Sequence, residues 1–399
     1  MSTEVYFNPW DEAFRANPYP YYKPLYGRPP HLLNMFYQMA LVAGYDDAVT
    51  ILHDHERFNS SQKTNPTFDE QERTLFAGAA TVLFSDPPTQ TRLRKLVSRA
   101  FTPKRVRDLE PRIREITHTL LDRAAGKNGL EIMGDLATPL PVMVIAEMLG
   151  VPAVQYEQFK HWSDRIVESD NTPPGMPLPD ATKQAAKDLR SYFANEIERR
   201  RGDPGDDLVS ALVAAHDETE ALSADELLAF VILLLLAGNE TTTNLIGNGM
   251  LALGRNPDQL ELLRGNPLLM PRAVEEMLRY DGPVQATVRH NHVPVEVGGA
   301  LIAPETMVFV ILAGANRDPA HFSRPDEFDI TREPNDHLAF GDGIHYCLGA
   351  ALARLEGAIA FEIALERFPR LRLTPGEAPP KYKGSYFLRG LSELRLAVS

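Results

Sequence analysis

Phe340-Gly341-Asp342-Gly343-Ile344-His345-Tyr346-Cys347-Leu348-Gly349 holds the only cysteine of the chain. Glycines at 341 and 343 permit a tight turn and the close approach of a flat ligand. Beyond Gly349 the residues turn helical, Ala350-Ala351-Leu352-Ala353-Arg354-Leu355-Glu356, so Cys347 sits on a loop running into a helix N-terminus. Backbone N–H groups and the helix dipole there favour an anionic sulfur. Three readings stand: a buried inert thiol, a nucleophile, and an axial metal ligand. On the cysteine alone the inert thiol outweighs the other two. A nucleophile wants a nearby base. His345 is close in sequence, but side chains at i and i+2 point apart in most backbones, and no glycine elbow surrounds the thiol.

Composition narrows the setting. The chain has 399 residues, 44% hydrophobic and 24% charged, enough for a sizeable core in one large fold or two domains. A net charge of −13 argues against general nucleic-acid binding. One cysteine excludes an intramolecular disulfide framework and fits a reducing compartment. Met1 to Trp10 is polar and acidic and shows no signal-peptide pattern. The longest apolar run, Leu227 to Gly238, falls short of the ~20 residues that span a bilayer. A cytoplasmic protein without a membrane anchor is expected.

Taken in order, residues 1–30 read as an irregular arm with a short helix near Trp10–Arg15. His31–Phe36 and Met39–Val42 read as a hairpin, followed by a helix from Tyr45 to His53. His53 and His55 have metal-pair spacing, but a solvated helix end is the better reading because no third ligand is in view. Asn59–Leu83 shows no clear period, and a loop of that length is usually functional. A helix opens at Asp86-Pro87-Pro88. From there to Arg107 come Arg92, Arg94, Lys95, Arg99, Lys104, Arg105 and Arg107 with no acid after Pro87, a local reversal of sign in an acidic chain. A solvated face is one account, and anion recognition by arginine is the other.

Helices follow at Asp108–Ala125, Leu140–Leu149, Ala153–Glu168 and Ala181–Arg201, with the Pro/Gly-rich Asp170–Asp180 connection long enough to act as a lid. Ser223-Ala224-Asp225-Glu226 is a capping box. It starts a helix apolar on almost all faces, which belongs in the centre of a large protein. The interior of that helix is interrupted by Ala237-Gly238-Asn239-Glu240-Thr241-Thr242-Thr243, a costly composition of the kind found at functional sites. A local opening of the helix at Gly238–Thr241 is expected, because a buried acid needs a partner or water. Pro271 opens a helix on which Glu276 and Arg279 share a face. Val293–Val297, Leu301–Ala303 and Met307–Leu312 read as strands, Leu348–Phe368 as the last helix and Tyr386–Leu391 as a terminal hairpin.

The pattern Phe-x-x-Gly-x-His-x-Cys-x-Gly resembles the haem-binding loop of the cytochrome P450 family, whose iron is ligated by a thiolate. Three further motifs lie in that family's order. Glu276-x-x-Arg279 resembles its buried structural pair, with Arg317 as a supporting partner. Ala237-Gly238-Asn239-Glu240-Thr241 resembles its oxygen-activating segment. Gln90-x-x-x-Arg94 and Arg289 match positions that bind haem propionates, although many bacterial members have His where Gln90 stands, so that contact should be weaker than Arg94's.

The resemblance covers nearly the whole chain. It implies a mainly α fold with a minor β-rich region, a single domain over residues 1–399, and haem b between the central and C-terminal helices. It makes Cys347 the iron ligand, flanked by Gly341, Leu348 and Gly349, with Phe340 beside the sulfur and His345 at a propionate. Ala237 and Gly238 leave room at the central helix, while Thr241 and Glu240 deliver protons. The pocket walls are the Asn59–Leu83 loop, Leu233, Leu236, Ala237, Val284, Gln285, Thr287, Phe387 and Leu388.

The implied activity is a monooxygenase reaction on a mostly apolar small molecule with O2. Electrons come from a separate ferredoxin or flavodoxin, docked on the basic Arg92–Arg107 face of a monomer. A peroxide-dependent variant and a catalytically silent haem protein are the competing readings. The Glu240-Thr241 pair weighs against the first, and the intact Cys347, Thr241 and Glu240 against the second.

Overall fold

The computed structural model describes residues 5–34, 38–61, 75–98, 101–124, 129–167, 176–216, 222–374, 376, 378–383 and 387–398. The chain is mainly helical with a small β region. It divides into two compact units: Met1–Phe58, Pro111–Leu140 and Thr241–Ser399 form one, and Asn59–Glu110 with Pro141–Glu240 the other. Ala224–Arg255 runs through the division as one uninterrupted helix.

The first unit carries the sheet and the cysteine loop. His31–Asn34 pairs antiparallel with Gln38–Val42, which lies parallel to Thr306–Val310, and Thr287–Asn291, also an inner strand, pairs antiparallel with that strand. Thr306–Val310 is buried throughout, as a central strand covered on both faces must be. Thr287–Asn291 is a strand that its own sequence does not announce, since Arg289, His290 and Asn291 mask its alternation. Val295–Val297 and Ala300–Ile302 form a separate hairpin. The helix Tyr45–His53 turns Ala48, Ile51 and Leu52 onto Val42, Val308, Val310 and Leu338.

Three helices of this unit pack closely. Met270–Asp281 buries Met270, Ala273, Val274, Met277 and Leu278, the i, i+3, i+4 stripe of an amphipathic helix. Ala350–Arg367 lies against it. At Gly249, in the second half of the long helix, a Cβ would meet the Phe361 ring at 2.5 Å and the Met277 sulfur at 2.7 Å, so only glycine permits this approach.

In the second unit, Tyr156–Val167 packs on Asp180–Gly202. Phe159, Trp162, Tyr192 and Phe193 interlock there with ring centroids 5.2–5.8 Å apart. The expected capping box forms: Ser223 Oγ accepts from Glu226 N–H at 3.1 Å, and the Glu226 carboxylate accepts from Ser223 N–H at 2.8 Å. The long helix is apolar and long enough to cross a membrane, yet 72% of its most apolar stretch is buried inside the protein. Its length and composition are those of a core helix.

Candidate active site

The cysteine loop is shaped by three local restraints. Gly343 has φ +65°, and a Cβ there would lie 2.5 Å from the Leu52 carbonyl oxygen, so the loop passes the end of Tyr45–His53 only as glycine. Gly343–His345 forms one 3-10 turn, capped by the Asp342 carboxylate on Gly343 N–H at 2.7 Å. Cys347 N–H then donates to the Phe340 carbonyl at 2.9 Å, which closes the loop. The Cys347 side chain is exposed, three residues before the helix Ala350–Arg367. His53, which has metal-pair spacing with His55, instead meets Asp342 at 3.1 Å, and among the described residues no cluster of metal-ligating side chains is found.

Around the loop lies a ring of polar anchors. The Glu275 carboxylate takes Arg354 Nε at 2.7 Å and Nη2 at 2.8 Å, and His337 Nε2 at 3.1 Å. Burial opposes its ionisation, but the hydrogen bonds from His337 and Arg354 win and hold its pKa down at about 2. One residue on, Glu276 and Arg279 form a fully buried bidentate pair, 2.8 Å at both contacts. Arg279 also donates to the carbonyls of Asn316, Pro325 and Glu327.

The supporting partner of that pair is Arg332, not Arg317. Arg332 Nε lies 3.1 Å from Glu276 Oε2. Arg317 instead donates to the Tyr280 carbonyl and lies over the rings of Tyr19 and Tyr280 at 3.5 and 4.0 Å. Arg317 is nearer in sequence, but its stem meets the end of the helix rather than the helix's buried face. Arg332 comes from the segment after Phe328, where no periodicity announces a contact.

Of the expected pocket residues in the first unit, Val284, Gln285, Phe387 and Leu388 lie together. Gln285 N–H donates to the Phe387 carbonyl at 2.8 Å, Val284 bridges to Leu388, and the Phe309 and Phe387 rings stack at 6.1 Å. Tyr386 lies outside the described residues; Gly390 and Leu391 pair with Lys383 and Tyr382, the Lys383 N–H meeting the Gly390 carbonyl at 2.8 Å, a pairing that reaches beyond the expected hairpin of Tyr386–Leu391. Gln285 and Leu388 also border a cleft with Phe7, Phe14, Tyr22 and Tyr382. Thr287 stands at the start of its strand, where its hydroxyl accepts from the buried Arg289 at 3.2 Å.

Along the long helix the polar interruption separates into two sets. Asn239 donates to Ser163 Oγ at 3.0 Å and Thr243 to the Ala137 carbonyl at 3.0 Å, both buried tethers. Leu234, Ala237, Gly238 and Thr241 follow i, i+3, i+4, i+7 and form the more exposed stripe of an otherwise buried helix. Leu236 is half-buried, while Leu233 and Glu240 are buried. No opening of the helix accompanies this stripe. The tethers on either side hold the backbone in register, which answers the expectation of a break at Gly238–Thr241.

The basic segment is two helices, Thr89–Ser98 and Pro103–Asp108, rather than one. Gln90 is buried, Arg94 half-buried, and Lys95, Lys104, Arg105 and Arg107 exposed. Arg92 is engaged by the Glu226 carboxylate and is not part of that outward set. Arg99 lies outside the described residues, as do residues 62–74 and 170–175 of the two expected lids.

One buried acid went unrecognised in the sequence. Glu356, two turns past Gly349, has a carboxyl oxygen with no hydrogen-bond partner, and burial pushes its pKa up to about 8. Its position in an apolar helical run was the available signal.

These residues suit an iron porphyrin. A thiol emerges beside a helix N-terminus. The positions where Gly341 and Gly349 would carry a Cβ have nothing within 4 Å, so a flat ring can lie close. Arg289, in the first unit, and Arg94, in the second, are cationic, as partners of a porphyrin's acid side chains would be. The family match agrees: the cytochrome P450 pattern spans residues 16–396. Cytochrome P450 107B1 of Saccharopolyspora erythraea is 46% identical over 314 residues, covering 78% of this chain and 76% of that one. Vitamin D(3) 25-hydroxylase of Pseudonocardia autotrophica is 43% identical, covering 83% and 82%. The solved structure of the bacillaene polyketide synthase cytochrome P450 PksS of Bacillus subtilis 168 superposes with a TM-score of 0.90 at 37% identity, covering 99% of this chain and all of that one. The chain belongs to the cytochrome P450 family, of the bacterial kind. It is a monooxygenase, and its cofactor is haem b.

Proposed function

We propose that this protein hydroxylates an apolar small organic molecule as a single catalytic domain in the cytoplasm, with Cys347 holding the haem iron and a separate ferredoxin or flavodoxin supplying electrons. The observation that carries the reading is the exposed Cys347 thiol, set by the Gly343–His345 turn just ahead of a helix N-terminus. The apolar substrate is supported by the character of Leu233 and Leu236 on the central helix and of Val284, Phe387 and Leu388, and by the relative named for vitamin D(3).

When bound, the haem supplies an iron that activates dioxygen, and thiolate ligation favours O–O cleavage. The chain's own residues do the rest. His345, Arg289 and Arg94 would hold the acid side chains of the ring, with the uncharged Gln90 adding at most a hydrogen bond. Phe340 would flank the sulfur, and Gly341, Leu348 and Gly349 would line the face of the loop toward the ring, with open space where Gly341 and Gly349 lack a Cβ. Ala237 and Gly238 present a small surface on the central helix. The Thr241 hydroxyl holds a proton at its oxygen for delivery, and the Glu240 carboxylate replenishes it from solvent.

The electron donor meets Lys95, Lys104, Arg105 and Arg107, whose charge attracts an acidic partner and speeds encounter. The test is a library of apolar ligands added to the ferric holoenzyme, read as a Soret shift, followed by turnover of each hit with a reductase system. Hits that are steroid-like or polyketide-like and gain one oxygen atom support the reading. In parallel, Cys347→His should abolish the red-shifted Soret band of the reduced, CO-bound protein; persistence of that band would sink the ligand assignment.

A further inference from the structure

We propose that Glu275 is a positioning residue for the thiolate loop, holding both flanks of Cys347 through one carboxylate. Glu275 stands on Met270–Asp281, next to Glu276, but the two carboxylates serve different segments. Glu276 is taken up by Arg279 and Arg332 inside the fold. Glu275 faces the loop. On the leading flank it takes His337 Nε2 at 3.1 Å. The other ring nitrogen, Nδ1, accepts from Ala339 N–H at 3.2 Å, which makes Nε2 the protonated one, donating to the carboxylate. The His337 side chain is only 2% exposed, so without Glu275 its donor would be stranded.

On the trailing flank Glu275 grips Arg354 bidentately, seven residues beyond the cysteine. Arg354 Nη1 then donates to the Tyr346 hydroxyl at 3.1 Å, and its guanidinium lies 4.5 Å over the Phe340 ring. Tyr346 is bonded directly to Cys347, and the Phe340 carbonyl accepts from Cys347 N–H at 2.9 Å. Glu275 therefore restrains the segment before the loop, the ring beside it, the residue adjoining the thiol and the helix after it.

An isolated surface ion pair has no such reach and contributes little. Glu362 offers the comparison within the same helix as Arg354: it pairs with Arg114 at 3.1 Å and touches nothing in the loop. The inference rests on Cys347 being the iron ligand. If that reading fails, the unaltered holoenzyme shows no thiolate band. If only the present inference fails, the band is normal and the variants behave like it.

The experiment compares Glu275→Gln, Arg354→Gln and Glu362→Gln holoenzymes with the unaltered one. The readouts are the rate at which the reduced, CO-bound protein loses its thiolate Soret band and the reduction potential of the haem. Glu275→Gln and Arg354→Gln should each lose the band about tenfold faster, the scale of one charge-assisted hydrogen bond. Both should shift the potential in the same direction, since both loosen the loop that sets the N–H environment of the sulfur. Glu362→Gln should match the unaltered protein in both. If the Glu275 or Arg354 variant folds and keeps the band lifetime and potential within twofold of the Glu362 control, the inference is overturned. Lower melting temperature with unchanged band and potential counts the same way. Should Glu275→Gln yield no folded protein, the more exposed Arg354→Gln decides alone.

Discussion

Replacing Arg332 by methionine keeps the bulk of the stem and removes the guanidinium. In the structure Arg332 Nε bridges both Glu276 oxygens at 3.3 and 3.1 Å, and its other nitrogens donate to the carbonyls of Ser323, Arg324 and Glu327 at 2.7, 3.1 and 3.2 Å. Glu276 retains Arg279, the Asp329 N–H at 2.9 Å and Asn335 at 3.3 Å, so its charge is not left alone. Breaking a buried pair outright costs about 3–5 kcal/mol, and partial compensation places this variant at the low end, about 3 kcal/mol. With an unfolding entropy of roughly 2.1 cal/mol/K per residue, a chain of this length loses ~0.8 kcal/mol per degree, so the melting temperature should fall by about 4 °C. Circular dichroism melts of the holoenzyme measure it. Arg317→Met removes no contact to Glu276. In double-mutant cycles with Glu276→Gln, Arg332 should therefore couple by about 1.5 kcal/mol or more and Arg317 by under about 0.5. A melting temperature unchanged in Arg332→Met, or equal coupling for the two arginines, refutes the assignment of Arg332 as the third member of the cluster.

Thr241→Ala should leave haem and substrate binding nearly intact but divert reducing equivalents into hydrogen peroxide; product and peroxide counted per NAD(P)H consumed check this, and full coupling on the native substrate would remove Thr241 from proton delivery. Lys104→Glu with Arg105→Glu should slow electron transfer severalfold at low salt and flatten its salt dependence, because the Debye length is ~8 Å at physiological ionic strength. Stopped-flow reduction by the donor reads this, and rates indifferent to both changes place docking elsewhere. Glu356 holds a proton in the folded chain that the unfolded chain releases above about pH 4.3, so its burial lowers stability progressively as pH rises from there toward about 8. Glu356→Gln should thus be more stable than the parent by about 1–2 kcal/mol near neutral pH, with the gain vanishing toward pH 4; denaturation curves across that range show it, and a pH-independent difference contradicts the cause.

The sequence by itself determined the elements whose signals are local. The Ser223–Glu226 capping box, the helix Tyr45–His53 and the antiparallel strands His31–Asn34 and Gln38–Val42 were legible because a cap, the helical stripe of Ala48, Ile51 and Leu52, and a strand's alternation are each contained within a few neighbours. The cysteine loop was legible because glycine spacing and a lone thiol ahead of a helix form a compact pattern. Glu276 and Arg279 were legible as a pair at i, i+3; their burial followed from the family resemblance, since the spacing alone allows an ordinary surface pair.

Tertiary structure decided whatever depends on distant segments meeting. Arg332 displaced Arg317 as the partner of Glu276 because it approaches the helix's buried face from a segment 56 residues away. Thr287–Asn291 became a central strand because Thr306–Val310 supplies its hydrogen bonds, against polar residues that locally argue otherwise. Arg92, counted with an outward basic face, turns to Glu226, since a carboxylate from the capping box lies within its reach. The long helix stays unbroken through Gly238–Thr241 because Ser163 and Ala137 satisfy Asn239 and Thr243 from outside it. In each case the side chain's own neighbours allow several partners, and only the packed fold brings one of them within hydrogen-bond distance.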